Sequence, residues 1–254
     1  MISYNDLGKG EAIVLLHGFL ESKKIWEPFA AELSKKFRVI TIDLPGFGES
    51  ECLAETHTMD LMAEAIYDVL HFLEVKKCVM IGHSMGGYVT LAFAENHPGM
   101  LKGFGLFHSQ AMADPPEVKK NRTRAIEVVR KDHLGFIIEF IPSLFNPDEV
   151  KKYRKEIKAL QEDAKRCSTE AVIAAIRGMR ERPSRVHVLE KTKLPVLFIL
   201  GKKDQKINFE QAMMQASVPK QSHCLLLGNV AHMGYIEASD VTLKAIVHFA
   251  ESVF

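Results

Sequence analysis

The sequence predicts an α/β protein, a mostly parallel central sheet into which a helical segment is inserted. Three observations predict it. Short apolar runs alternate with longer amphipathic stretches, the pattern of a sheet covered by helices. The runs are continuously apolar, as strands buried on both faces are. From about residue 114 to residue 183 the alternation stops, leaving helix signals without a convincing strand.

In chain order, Ile2–Asn5 can supply one edge strand, and the partner strand of an N-terminal hairpin is expected to be absent or very short, because only eleven residues precede the next run. Ala12–Leu16, Arg38–Ile42, Lys77–Ile81, Lys102–Phe107, Pro195–Leu200 and His223–Leu227 read as buried strands. Between them, Met59–Leu73 and Tyr88–Asn96 carry Leu, Ile, Ala and Phe at helical spacing. Ser239–Val253 reads as a terminal helix capped by Ser or Asp. Within the inserted segment, Asn146-Pro147-Asp148-Glu149 is a helix start, with a capping Asn, Pro at the first helical position and Glu three residues after the cap. Ser168-Thr169-Glu170 starts another. The expected organisation is a core over 1–113 and 184–254, with a helical cap over 114–183 lying across the strand ends.

Bulk properties narrow the function. The 254 residues suit one α/β domain, and 47% hydrophobic with 26% charged residues is ordinary for a globular enzyme. A formal net charge of +1 makes no electrostatic case for nucleic acid or an acidic membrane surface. The apolar runs are too short to span a bilayer. Met1-Ile2-Ser3-Tyr4 shows no basic stretch followed by an apolar core, so no secretory signal is read and the cytoplasm is expected. Cysteines stand at 52, 78, 167 and 224 without a C-x-x-C pair; reduced thiols are expected, with Cys78 and Cys224 buried in apolar runs. No cluster with metal-ligand spacing is present, so neither metal nor cofactor is expected.

Gly82-His83-Ser84-Met85-Gly86 carries the chemistry. A bare G-x-S-x-G occurs by chance in about one chain in ten of this length. Here it follows an apolar run and precedes a helix pattern, the setting of a sharp strand-to-helix turn that exposes a serine. A serine hydroxyl needs a base, and the base needs an orienting acid. Asp204 falls just after the run Pro195–Leu200, and His232 just after His223–Leu227, at the strand ends where open α/β sheets carry their sites. Asp114, which follows the preceding strand, is an alternative acid, and Cys224 an alternative nucleophile. His17 and His83 read as structural, and Asp43 as fixing the Asp-Leu-Pro-Gly turn. Trp26, Phe47, His108 and Met233 are candidate pocket residues, each of which could equally serve the core or a local hydrogen bond.

With His17-Gly18-Phe19, Asp43-Leu44-Pro45-Gly46-Phe47-Gly48-Glu49-Ser50, Gly201-Lys202-Lys203-Asp204 and Ala231-His232-Met233, the elbow makes the chain resemble the α/β-hydrolase fold superfamily from about Ala12 onward. Within it, the chain is similar to the small cap-bearing esterase, perhydrolase and C–C hydrolase group. The resemblance implies a Ser84–His232–Asp204 triad and an oxyanion hole formed by the backbone N–H groups of Phe19 and Met85. It implies a small-molecule ester or acyl substrate. Perhydrolysis, C–C, thioester and lactone hydrolysis remain open with the same triad, as does a non-catalytic ligand receptor. Dehalogenase and epoxide hydrolase relatives place Asp where this chain has Ser84.

Overall fold

The computed structural model describes all 254 residues. The chain starts with strand β1 (Tyr4–Leu7), turns at Gly8 and Gly10, both at positive φ, and enters β2 (Ala12–Leu16). An alanine at Gly8 would put its Cβ 2.2 Å from the Phe37 carbonyl oxygen, so this tight return requires glycine. Helix α1 (Glu27–Leu33) leads to β3 (Arg38–Ile42), α2 (Met59–Phe72) to β4 (Cys78–His83), and α3 (Met85–Asn96) to β5 (Leu101–Phe107). Then come α4 (Pro116–Lys131), α5 (His133–Phe140), α6 (Arg154–Ala164), α7 (Thr169–Glu181) and the short α8 (Val186–Lys191), before β6 (Val196–Gly201) resumes the sheet. Helix α9 (Phe209–Ala216), β7 (Ser222–Leu227), the one-turn α10 (Gly234–Glu237) and α11 (Ser239–Val253) finish the chain.

The seven strands lie in the order β1-β3-β2-β4-β5-β6-β7. Only β1 runs antiparallel, against β3. One N-terminal edge strand is therefore present, and its hairpin partner is not. From β2 the chain steps outward to β3 on one side and to β4 on the other, so the order reverses between β2 and β4. A crevice opens at such a reversal, outside the carboxyl ends of the strands. Phe19 lies in the turn after β2, and Ser84 directly follows β4.

Apolar packing explains this frame. Every residue of β2 is buried, and Met85 through Ala94 of α3 are buried all round, so α3 is a core helix. Helix α2 shows a one-sided stripe, with Met62, Ala63, Ile66, Val69 and Leu70 inward, and Thr58 caps it by accepting from Leu61 N–H at 3.1 Å.

Three local expectations are corrected. The Asn146 segment is a turn: the Asn146 side chain accepts from Asp148 N–H at 3.1 Å, and helix begins only at Arg154. Asn146 is instead occupied by contacts across to another loop, described below. Ser239 is the first residue of α11, not its cap; Ala238, left at the boundary by α10, holds that position. Cys224 is exposed, because β7 is the sheet edge and its residues alternate outward. By contrast Ser168 caps α7 as its sequence predicts, accepting from Ala171 N–H at 3.1 Å.

Candidate active site

Ser84 sits between β4 and α3 with φ 50° and ψ −113°, a conformation costly for a residue with a side chain. The flanking glycines make the turn feasible. A Cβ on Gly82 would lie 2.2 Å from the Gly86 carbonyl oxygen, and one on Gly86 2.6 Å from those of Leu16 and His17. The turn is held from the neighbouring strand, since Ser84 N–H donates to Phe107 O at 2.9 Å and the Ser109 hydroxyl to Ser84 O at 2.7 Å.

Ser84 Oγ lies 2.8 Å from His232 Nε2, and His232 Nδ1 lies 2.8 Å from Asp204 Oδ2. Asp204 can only accept, so Nδ1 carries the proton and Nε2 is free to accept from the serine hydroxyl. The other Asp204 oxygen accepts from the backbone N–H groups of Lys206 at 2.8 Å and Ile207 at 3.0 Å. Burial alone would raise the Asp204 carboxyl, but the imidazoles of His232 and His108 beside it hold it well below the usual carboxylate range.

Two N–H groups are available on either side of the serine. Met85 is the first residue of α3, so its N–H has no acceptor within the helix. The Phe19 N–H, in the turn after β2, makes no hydrogen bond within the protein. That turn closes on the elbow: a Cβ on Gly18 would lie 3.2 Å from Ser84 Cβ.

Under this arrangement is a network without a strong sequence signal. Glu21, 2% exposed, accepts from Gly18 N–H at 2.6 Å, contacts His83 Nδ1 at 2.9 Å, and accepts from the Tyr235 hydroxyl at 3.0 Å. His83 Nε2 lies 2.9 Å from the His232 carbonyl oxygen. Both partners of His83 are acceptors, so both of its ring nitrogens carry protons and the ring is an imidazolium. Burial opposes that charge, and Glu21 more than offsets it, raising the His83 pKa and lowering its own. His17 is the opposite case. It accepts from Leu44 N–H at Nε2 and donates from Nδ1 to Gly18 O, both at 2.8 Å, and burial keeps it neutral. The one sequence clue to Glu21 is a carboxylate two residues beyond Phe19.

Ser84 and His232 open into a cavity of about 390 Å³. Its apolar wall comes mainly from Phe19 and Tyr88 and from the helices between β5 and β6, through Phe136, Phe140, Ile176 and Met179. None of the pocket candidates Trp26, Phe47, His108 and Met233 is in this lining. Trp26 is fully buried against Phe29, Phe107 and Tyr235. Phe47 stands edge-on to the rings of His17 and Phe19, and so supports the turn from behind. Met233 is also fully buried. His108 lies behind the acid, its Nδ1 3.2 Å from Asp204 Oδ2 but too far out of line for a hydrogen bond, and burial lowers its pKa to about 4. These side chains turn back into the layers beneath the strand ends, while wide rings from the inserted helices reach the cavity. Asp114 is held by Arg122 and by Arg182 at 2.7 Å, with no contact to His232. Cys224, on the edge strand β7, is outside the cavity lining.

The inserted segment is bonded to the His232 loop. His232 N–H donates to Leu144 O at 3.0 Å, and the Asn146 side chain donates to Asn229 O at 3.0 Å. Glu237 accepts from the N–H groups of Asn146 and Ala231, both at 2.8 Å.

Comparison with known proteins bears on the fold and the family. The model of the alpha/beta hydrolase fold matches residues 11–239. A thermophilic esterase from Thermogutta terrifontis, solved with malate bound, is 33% identical and superposes with a TM-score of 0.94, covering 99% of this chain and 93% of that one. The enol-lactonase from Burkholderia xenovorans LB400 shares the fold at a TM-score of 0.90 and 22% identity, over 98% and 95% of the two chains. The AB hydrolase superfamily protein YisY of Bacillus subtilis is 25% identical over 256 residues, 97% of this chain and 94% of its own. With a serine elbow at the sheet's reversal point and a family match running from residue 11 to residue 239, the chain belongs to the α/β hydrolase fold family and to its esterase-like hydrolases.

Proposed function

We propose that this protein is a serine hydrolase of small carboxylic esters, with Ser84 as nucleophile, His232 as base and Asp204 as orienting acid. The observation that carries the reading is the pair of 2.8 Å contacts running from Ser84 Oγ through His232 to Asp204. Ser84 Oγ attacks the ester carbonyl carbon as His232 Nε2 takes its proton. The imidazolium that forms is stabilised by Asp204. The carbonyl oxygen, now an anion, receives the N–H groups of Phe19 and Met85, each worth about 10²–10³-fold in rate for donors of this kind. The intermediate collapses, and the alcohol leaves with the proton from His232. Water, deprotonated by His232, then attacks the acyl-serine, releasing the acid and restoring Ser84.

In this reading residues 114–183 form a cap that shapes the substrate cavity over a core of 1–113 and 184–254. Catalysis is assigned wholly to side chains and backbone N–H groups of this chain. The test is labelling with a fluorophosphonate probe and peptide mapping, alongside turnover of p-nitrophenyl acetate and butyrate. Modification of Ser84, and loss of both labelling and turnover in a folded Ser84→Ala variant, is the expected result. Label on another residue, or turnover unchanged by Ser84→Ala, overturns the assignment.

A further inference from the structure

The cavity wall carries positive charge that the protein leaves unmatched. Phe140 meets Phe19 edge to face at 5.6 Å and stacks on Phe136 at 5.4 Å. On Phe140 lies the ammonium of Lys206, 5.1 Å from the ring centroid. Its only hydrogen bond goes to the Ser143 hydroxyl at 2.9 Å, and no carboxylate is within ion-pair distance. Asp204, two residues earlier, engages His232 and the backbone N–H groups of Lys206 and Ile207 with its two oxygens. The backbone of Lys206 is thus fixed to the acid of the site, which sets where its side chain can reach. Lys206 is an exposed residue, and what burial it has lowers its pKa, with the charge of Asp204 opposing.

A second positive point is the cluster around Asp114. Arg122, which lines the cavity, and Arg182 share this one carboxylate, so the cluster has a surplus of one positive charge. Glu21 is the single carboxylate in the cavity lining, and His83 balances it. With a neutral substrate the ammonium of Lys206, an exposed residue, keeps only the Ser143 hydroxyl and solvent as partners. A carboxylate on the substrate would supply the missing charge-assisted bond.

We propose that the site selects esters bearing a free carboxylate, such as dicarboxylic acid monoesters, and that Lys206 receives that carboxylate. The proposal rests on the serine hydrolase reading and names its substrate class. The test compares mono-p-nitrophenyl glutarate with neutral p-nitrophenyl valerate, which has the same acyl length. In the wild type kcat/KM favours the anionic ester. Lys206→Met lowers that preference about tenfold or more, chiefly through KM, and Lys206→Arg retains most of it. The preference also shrinks as salt is raised. An anionic-to-neutral ratio equal in wild type and Lys206→Met overturns the proposal. Failure of the underlying reading is distinct, because Ser84 then escapes fluorophosphonate labelling.

Discussion

Glu21 Oε2 and His83 Nδ1 face each other at 2.9 Å, both side chains 1% exposed, and the pair joins three loops of the candidate site. Glu21 reaches the Phe19 turn through Gly18 N–H, His83 belongs to the elbow, and the His83 ring holds the carbonyl of His232. A buried ion pair broken from one side leaves an uncompensated charge at a cost of about 3–5 kcal/mol. Glu21→Gln keeps the shape and removes the charge, so it is expected to lower stability by a few kcal/mol and to reduce kcat more than it raises KM.

The pH dependence of that loss has a definite sign. The lowered Glu21 pKa contributes stability above its ordinary value of 4.5, lost as pH falls through the folded value. The raised His83 pKa contributes stability in full below its ordinary value of 6.5, lost as pH rises through the folded value. Both contributions are therefore present between 4.5 and 6.5. Urea midpoints of wild type and Glu21→Gln are expected to differ most in that window, the difference narrowing as pH rises through the folded value of His83.

The two candidate acids separate by variant. Asp204→Asn leaves His232 in the wrong tautomer and is expected to lower kcat by about 10⁴-fold with the fold intact. Asp114→Asn leaves the His232 contacts in place but frees Arg122 and Arg182, the second almost fully buried. It is expected to lower the melting temperature while ester turnover stays far above that of Asp204→Asn. Circular dichroism melting and steady-state kinetics on the same preparations check both outcomes.

The thiols fall into two classes. Burial pushes Cys78 up to about 12 and Cys167 up to about 11, whereas Cys52 and Cys224 are exposed. Because the thiolate is the reactive form, a disulfide reagent such as DTNB is expected to titrate two thiols rapidly in the native protein and four in denaturant. Cys52, 3.4 Å from His57 Nε2, is expected to react first. Alkylating the two exposed thiols leaves turnover intact if Ser84 is the nucleophile; loss of turnover would revive Cys224.

What the sequence discloses depends on how local the cause is. Ala12–Leu16 and Arg38–Ile42 are legible to the residue because strands buried on both faces are largely apolar, Arg38 and Thr41 being the exceptions. His223–Leu227 looks the same in sequence, yet it forms the sheet edge and exposes Cys224 and Leu226; composition does not reveal which strand is last. Ser84, Asp204 and His232, the residues proposed for catalysis, could be picked out because each falls within a few residues after an apolar run. The cavity wall is not legible, since Phe136 and Phe140 meet Phe19 only through the packing of the inserted helices, and Lys206 joins Phe140 from the loop after β6. Asn146 shows a further limit. Its side-chain oxygen makes the local bond the pattern predicts, to Asp148 N–H, yet the residues that follow stay in turns, and its amide and backbone N–H groups tie it to Asn229 and Glu237.

The bonds between residues 144–146 and the His232 loop carry a consequence for heat. Roof and base are one mechanical unit, so the helices above the serine cannot swing aside as a flap without carrying the histidine with them. Warming that loosens this seam draws His232 away from Ser84 while the seven strands are still paired. Inactivation is then expected to run ahead of melting, with the fault line at Leu144, Asn146 and Glu237 and not at the elbow.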